Sequence, residues 1–357
     1  MNGKKRIAHG IRKRAGKAAL TAVLCLVLLS GCGKAAAVSD AGTAGSSDAA
    51  KQPVIGIVFD SFVIERWERD RDVFSATAKE LGAEVNVQDA NGDPEKQIAI
   101  INHFIDSKVD VIVIVATDGK KLTDCVTRAH RAGIKVISYD RLVNNADTDL
   151  YISFDNEAVG KDMAEVINDA LPDGGSYIKV NGPSTDYNVT LVNQGFDETI
   201  HDNIHLLDET ECAAWNDEEA FQFLTARPND LTEADAIMCG NDSLAGQTVR
   251  ALAERQRAGK VVVTGQDADL EACQRIVEGT QTMTVYKPID ELASQAAECA
   301  VRLAKGGITA DETISDGTYS IPYVRIAPVK VTKENLDQVI IAGGFHLKED
   351  VYLHSTD

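Results

Sequence analysis

Polar side chains follow several apolar, β-branched segments of this sequence at the point where each segment ends. They are Asp60, Asp140 and Arg141, Asn181, Asn241 and Asp242, and Gln266 and Asp267. Carboxylate, amide and guanidinium groups together can donate hydrogen bonds to a polar ligand and accept hydrogen bonds from it. Each residue taken singly could equally be part of a turn or a helix cap, where Asp and Asn are favoured. Their recurrence at five corresponding positions favours a shared polar pocket.

The same sequence lacks the patterns that accompany common enzyme chemistries. After the first apolar segment it continues as Asp60-Ser61-Phe62-Val63, without a glycine-rich turn for a pyrophosphate, and no phosphate-binding loop occurs elsewhere. The seven histidines show no metal-ligand spacing, and none accompanies a serine or cysteine in a known nucleophile motif. We therefore expect no catalytic residue, no metal and no cofactor.

Apolar segments alternate with longer amphipathic ones, which predicts parallel sheets flanked by helices. The first series has strands at 54–59, 84–88, 109–115, 135–139 and 150–153 and helices at 66–81, 94–106 and 120–132. The second has a helix at 157–170 and strands at 177–180, 204–207, 236–239, 260–264 and 282–286. We expect an α/β fold with two doubly wound parallel-sheet lobes. Ligands of such sheets bind outside the carboxyl ends of the strands, so the polar residues should meet in a cleft between the lobes.

The N-terminal residues have the order of a secretion signal. Seven basic residues precede an apolar stretch at 18–29, and Leu29-Ser30-Gly31-Cys32 is similar to the lipobox of bacterial lipoproteins. We predict a signal peptide at 1–31, then a lipidated Cys32 and a flexible linker over 32–52. The alternative is an uncleaved anchor with an incidental cysteine. The first interpretation predicts an extracytoplasmic protein held at the cell membrane by the lipid on Cys32.

The charge of the remaining chain excludes one class of partner. Without the seven basic residues before Cys32, 29 basic residues face 55 acidic ones, a net charge of −26. Such a chain repels nucleic acid. Five cysteines remain after Cys25 and Cys32 are set aside, at 125, 212, 239, 273 and 299. Their odd number and scattered spacing favour buried apolar side chains over a complete disulfide framework or a metal motif.

Several ordered blocks resemble the xylose-binding branch of the type I periplasmic sugar-binding family. The blocks are Ile64-Glu65-Arg66-Trp67, Arg69-Asp70-Arg71-Asp72, Tyr139-Asp140-Arg141, the segment YISFDNE at 151–157, the segment GQDAD at 265–269, and the segment GTQTMTVYKP at 279–288. The resemblance extends from about Val54 to Phe345. It implies a monomeric, two-lobed protein that closes on one monosaccharide, with D-xylose as the leading candidate, and delivers it to an ABC permease.

The resemblance also implies that the chain crosses between the lobes three times, near 153–156, 286–288 and 320–324. The first lobe would combine residues 53–154 with 288–321. The second would combine residues 155–287 with 322–357.

A monosaccharide presents hydroxyl groups around its ring and weakly apolar C–H faces, and the resemblance implies ten residues suited to both. They are Arg66, Trp67, Asp140, Arg141, Asp186, Asn188, Trp215, Asn241, Asp267 and Lys287. The arginines and Lys287 would donate hydrogen bonds, the aspartates would accept them, and the asparagines could do both. The two tryptophans would stack on the ring faces. From the residues alone, Trp67 could equally pack into the first lobe, and Lys287 could be a surface lysine.

Two other functions use the same fold. A sugar-responsive transcription regulator would need a basic helix-turn-helix before the first strand, where this chain has the predicted signal and linker. A sugar sensor that signals to a membrane receptor or a sensor kinase is not distinguished by the residues and stays an alternative.

Overall fold

The computed structural model of this chain describes residues 51–307 and 310–354. The predicted signal peptide, Cys32 and all but the last two residues of the predicted linker lie outside the described residues. The strands are β1 (Val54–Phe59), β2 (Glu84–Asp89), β3 (Val111–Ile114), β4 (Lys135–Tyr139), β5 (Leu150–Phe154), β6 (Gly175–Asn181), β7 (Ile204–Glu211), β8 (Ala236–Cys239), β9 (Val262–Thr264), β10 (Met283–Tyr286), β11 (Glu312–Ser315), β12 (Ser320–Ile326) and β13 (Val329–Thr332). The α-helices are α1 (Arg66–Glu80), α2 (Pro94–Asp106), α3 (Thr123–Arg131), α4 (Asn156–Ala170), α5 (Tyr187–Asp197), α6 (Asp217–Thr225), α7 (Pro228–Glu233), α8 (Asp242–Ala253), α9 (Leu270–Glu278), α10 (Ile289–Ala304) and α11 (Lys348–Val351). Two 3-10 helices, Gly119–Lys121 and Ala213–Trp215, and a π-helix, Asp337–Ile341, complete the described elements.

The first lobe is built on a seven-stranded sheet with the order β11-β12-β5-β4-β3-β1-β2. All its neighbouring strands are parallel except β11, which pairs antiparallel with β12. The central strand β3, with the sequence VIVI, is apolar and buried along its whole length because helices cover both faces of the sheet. Successive residues alternate between two cores: Ile57 packs on the side of α1 and α10, whereas Val58 packs on the side of α2 and α3.

The second lobe has a parallel four-stranded sheet with the order β7-β6-β8-β9. Helices α4 and α5 cover one face of it, and α6, α7 and α8 cover the other. The strand β10 pairs antiparallel with β13, but it also lies beside β9, since Thr282 N donates to Val263 O at 2.9 Å and Val285 N donates to Gly265 O at 3.0 Å. The prediction of an α/β fold with parallel sheets is confirmed.

The chain passes between the two sheets after β5, after β10 and after β12. The first passage follows Phe154 and the second follows Tyr286. The third was predicted near 320–324, with the first lobe ending at 321, and this position is wrong. Residues Tyr323–Ile326 of β12 pair with Tyr151–Phe154 of β5, so the whole strand belongs to the first sheet. The reason is burial: Ile321, Tyr323 and Ile326 face the interior and hold β12 in the sheet to its end.

The five cysteines at 125, 212, 239, 273 and 299 are all buried. Among the described helices, none combines the length and the apolar character needed to cross a bilayer.

Candidate functional site

One cavity between the lobes is lined by all ten residues that the sequence predicts for the site. It encloses about 470 Å³ of space out to its open mouth. The strand ends bring the residues together. Asp140 and Arg141 follow β4, and Lys287 follows β10. The other seven lie at helix starts, in the 3-10 helix after β7 or in the loop after β9, and are Arg66, Trp67, Asp186, Asn188, Trp215, Asn241 and Asp267.

Three of these residues have left-handed backbone conformations. The φ angle is 60° at Asp140, 58° at Trp215 and 97° at Asp267. Such conformations cost roughly 1–3 kcal/mol each for residues other than glycine, and the surrounding structure must hold them in place. At Asp140, the carbonyl oxygen accepts from Ser153 Oγ at 2.7 Å and from Tyr151 Oη at 2.9 Å. Strain of this kind concentrates at ligand sites, so it supports a binding role for the cavity.

Arg66 is held by two carboxylates in the first lobe. Its Nη1 donates to Asp140 Oδ2 at 2.9 Å, while Nε and Nη2 donate to the two oxygens of Asp70 at 3.1 and 3.0 Å. Burial by itself would raise the pKa of Asp140, but Arg66 and Lys287 hold this pKa below its ordinary value. Asp70, which also accepts from Tyr139 Oη, fixes the guanidinium from behind. Asp70 was not among the predicted site residues, although its spacing of four residues from Arg66 on one helix face is a usable signal.

Arg141 joins the two lobes. Its Nη1 donates to Asp60 Oδ2 in the first lobe at 2.7 Å, and its Nε lies 2.8 Å from Asp186 Oδ2 in the second. All three residues are buried. Burial by itself would lower the pKa of Arg141, but the carboxylates of Asp186 and Asp60 raise it above its ordinary value. Asp60 was identified at a strand end but was not assigned to the site. Its role depends on a contact with a residue far along the chain.

Asn188 lines the cavity, but its amide is fully engaged with the protein. The Nδ2 group donates to the carbonyl oxygen and Oδ1 of Asp140 at 3.1 and 3.0 Å. The Oδ1 atom accepts from Asn156 Nδ2 at 3.0 Å and lies 3.1 Å from Tyr151 Oη, whose single proton it shares with the carbonyl oxygen of Asp140. Both donors of the amide and its oxygen are therefore occupied by the protein. In this arrangement Asn188 therefore positions Asp140 across the cleft.

Both tryptophans are buried in the cavity wall. Trp67 is only 2% exposed and belongs to the first core, and the Arg66 guanidinium lies 4.4 Å from the centre of its ring. Core packing and cavity wall, which the sequence left as alternatives, are thus both true of this residue. Trp215 lies over the end of β6, where a Cβ on Gly182 would come within 2.3 Å of its Cη2 atom. Only a glycine at 182 leaves room for this ring.

Several buried polar atoms of the lining have no hydrogen-bond partner among the described residues. They are Nε1 of Trp67 and Trp215, Oδ1 of Asn193 and Asp267, and Oε1 of Gln266. Lys287 Nζ lies 3.2 Å from Asp267 Oδ1, but the geometry is not that of a hydrogen bond, so the contact is electrostatic only. Lys287 is 5% exposed, which excludes the surface-lysine alternative. Buried polar groups are nearly always paired, so this set requires a partner with both donors and acceptors.

The cavity also contains residues that the sequence did not assign to it. Asn181 is the last residue of β6, and Gln266 lies in the loop after β9. Both were identified at strand ends but were not assigned to the site. The sequence contained no signal for three further lining residues, Val192, Asn193 and Met238. The residues of one helix or strand do not indicate which other element will pack against them. Among the described residues, no group of three or more His, Cys, Asp and Glu side chains could hold a metal ion.

Comparison with known proteins gives consistent matches. The family model described as periplasmic binding protein domain matches residues 55–308. The D-xylose-binding periplasmic protein of Haemophilus influenzae is 41% identical over 317 residues, covering 86% of this chain and 94% of the relative. The protein of the same name from Escherichia coli K12 is 40% identical over 312 residues, covering 85% and 93%. A carbohydrate transporter solute-binding protein from Chloroflexus aurantiacus, solved in complex with D-glucose, superposes with a TM-score of 0.76 at 25% identity, covering 84% and 98%.

Proposed function

This chain belongs to the periplasmic binding protein domain family, and from that premise we propose that it captures a monosaccharide outside the cytoplasm and delivers it to an ABC permease. D-xylose is the first candidate, because the two curated relatives at 41% and 40% identity are D-xylose-binding proteins. The family consists of binding proteins, so no chemical step is expected at the site.

The set of unpartnered polar atoms inside the cavity is the observation that carries this proposal. Two indole N–H groups can donate, and the free oxygens of Asn193, Gln266 and Asp267 can accept. A hydroxyl group both donates and accepts, so a ring with several hydroxyls satisfies such a mixed set. An apolar ligand would leave these groups unpaired. The carboxylates of Asp140, Asp186 and Asp267 are matched in number by the cations of Arg66, Arg141 and Lys287, so the lining offers no excess charge for an ionic ligand to neutralise.

The charged residues would orient the sugar. In this proposal Arg66 and Arg141 offer their guanidinium groups to ring hydroxyls while their carboxylate partners hold them in place. Asp267 accepts from a hydroxyl, and Lys287 neutralises it at a distance of 3.2 Å. Trp67 and Trp215 supply the flat apolar surfaces against which the C–H faces of a pyranose pack.

We further infer that the protein acts as a monomer held at the membrane by a lipid on Cys32. The basic start, the apolar stretch and the small residues before Cys32 support this part of the proposal. A tethered binding protein stays close to its permease, which raises the local concentration of the sugar-loaded form.

Isothermal titration calorimetry of the purified protein against a panel of pentoses and hexoses tests the proposal. We expect tight binding of D-xylose and much weaker binding of D-glucose, which adds a hydroxymethyl group to the same ring. Xylitol, the open-chain polyol with the same carbon skeleton but no ring, is the control. Absence of heat with every monosaccharide would refute sugar capture, and tight binding of another sugar would replace xylose as the ligand.

A further inference from the structure

A second, larger crevice lies beside the cavity and encloses about 1420 Å³ out to open solvent. The cavity and the crevice share three lining residues: Ile64, Trp215 and Asn241. These three side chains therefore form the partition between the enclosed site and the crevice.

Ile64 is the only member of this partition that comes from the first lobe. It lies in the loop between β1 and α1, and it packs against the hydrophobic cores of both lobes. Its carbonyl oxygen accepts from Trp67 N at 3.2 Å, which ties the loop to the start of α1. The adjacent Val63 is 75% exposed and lines only the crevice. Because Trp215 and Asn241 belong to the second lobe, the partition is complete only when the lobes are closed.

The crevice beyond the partition has the polar character of a sugar site. Ser243 Oγ donates to Asn241 Oδ1 at 3.0 Å, at the partition itself. Further out, Gln247 Nε2 donates to Asp217 Oδ2 at 3.1 Å, and Arg250 Nη1 donates to Gln247 Oε1 at 3.1 Å. The crevice is thus lined by amide, hydroxyl, carboxylate and guanidinium groups, and amide, carboxylate and guanidinium groups also line the cavity. The apolar side chain of Ile64 lies between these two polar surfaces.

We propose that Ile64 determines the size of the ligand: its side chain limits the site to one sugar ring by closing the path into the crevice. Without this side chain, a disaccharide of the same sugar can place one ring in the cavity and the second in the crevice. The inference rests on the proposed function, since it takes the occupant of the cavity to be a monosaccharide.

Three variants test this role: Ile64→Ala opens the partition, Ile64→Val keeps most of its volume, and Val63→Ala changes the neighbouring residue outside the cavity. Each is titrated by calorimetry with D-xylose and with xylobiose, and thermal melts check folding. We expect Ile64→Ala to bind xylobiose at least tenfold more tightly than the unmodified protein does. Its affinity for xylose should fall by about tenfold or less, because only a half-buried apolar contact is lost. The other two variants should still reject xylobiose.

A folded Ile64→Ala protein that binds xylose but gains no affinity for xylobiose would overturn the inference. Equal binding of xylose and xylobiose by the unmodified protein would also overturn it. Failure of the unmodified protein to bind any monosaccharide would instead contradict the proposed function. If Ile64→Ala does not fold, the rate of xylose release is measured by stopped-flow fluorescence for the other two variants. Ile64→Val should release xylose severalfold faster than Val63→Ala. Equal release rates would show that Ile64 does not seal the cavity.

Discussion

At the scale of single residues, Arg141 pairs with a carboxylate of each lobe. It is buried between Asp60 of the first lobe and Asp186 of the second, so it forms one of the contacts through which the lobes meet. Charge-assisted hydrogen bonds contribute on the order of 1.5–3 kcal/mol each, and removing one partner of a buried pair leaves the other charge without compensation.

We therefore predict that Arg141→Ala weakens sugar binding by roughly tenfold to a hundredfold or more. The sugar-free protein should stay folded, since Asp186 regains water when the lobes separate. Asp267→Ala should behave in the same way. Calorimetry with D-xylose, or with the sugar that the panel identifies, measures the effect, and Lys79→Ala on the exposed face of α1 is the control. Unchanged affinity in both cleft variants would place the binding site elsewhere.

A second residue-scale prediction concerns pH. Asp242 is fully buried, and its carboxylate accepts from Thr284 Oγ1 at 2.7 Å, from Gln281 Nε2 at 2.8 Å and from Asp269 N at 3.1 Å. Burial raises the pKa of Asp242 to about 7, although Arg275 and the hydrogen bonds lower it. In the unfolded chain an aspartate has a pKa of about 3.9. The contribution of this group to stability is therefore complete below about pH 4 and is lost as the pH rises through about 7.

The melting temperature of the unmodified protein should consequently fall between pH 5.5 and pH 8 more steeply than that of Asp242→Asn. One pKa unit corresponds to about 1.4 kcal/mol, and each kcal/mol shifts the melting temperature by roughly 2 °C in a folded chain of about 300 residues. Thermal melts across this pH range measure the difference, with the exposed Asp173→Asn as control. Parallel pH profiles for the unmodified protein and Asp242→Asn would show that Asp242 does not titrate in this range.

At the scale of elements, the site depends on how strand ends are shaped. Strand β6 is followed by Gly182, and the 3-10 helix after β7 carries Trp215, whose ring occupies the space that a side chain at 182 would need. The left-handed conformations at Ala214 and Trp215 turn the chain so that the ring faces the cavity. This wall of the site therefore depends on both strand ends: Gly182 after β6 leaves the space that the Trp215 ring after β7 fills.

We predict that Gly182→Ala displaces the Trp215 ring and weakens sugar binding by tenfold or more, while the sheet remains intact. A double-mutant cycle provides the control: in a Trp215→Ala background, the alanine at 182 should have little further effect because no ring is left to displace. Calorimetry on the four proteins measures the coupling. Additive losses would mean that Gly182 acts on binding by another route.

At the scale of the whole molecule, the contacts across the cleft describe a closed arrangement. Arg141 meets Asp186, and both Asp140 and Tyr151 meet Asn188. A sugar bound between the lobes adds contacts to both sides, so it shifts the population toward this closed form. We predict a smaller radius of gyration by small-angle X-ray scattering when sugar is added. An unchanged radius at saturating sugar would contradict closure as the binding mechanism.

Localisation also belongs to the whole molecule. If Cys32 carries the lipid, Cys32→Ala should release the protein from membranes and abolish labelling by a palmitate analogue. Cys25→Ala, which changes a cysteine inside the predicted signal peptide, should leave both unchanged. A soluble, unlabelled unmodified protein would rule out the anchor.

The residues by themselves indicated the fold class and the polar strand ends, because the alternation of strands and helices, and the polar residues that end each strand, are local patterns. The set of ten candidate site residues came from the family resemblance. The family resemblance joined these patterns into one chain-long arrangement. The signal peptide and the lipid on Cys32 stay predictions.

Only the tertiary structure decided which side chains meet. Asp60, Arg141 and Asp186 are far apart in the chain, and no local pattern shows that one guanidinium lies between the two carboxylates. The same holds for Ile64, an ordinary apolar residue until the second lobe places Trp215 and Asn241 beside it. The third passage between the lobes was misplaced because the pairing of β12 with β5 joins segments more than a hundred residues apart. Hydrogen bonding and burial between distant segments depend on the complete fold, and for that reason they could not be read from the residues in order.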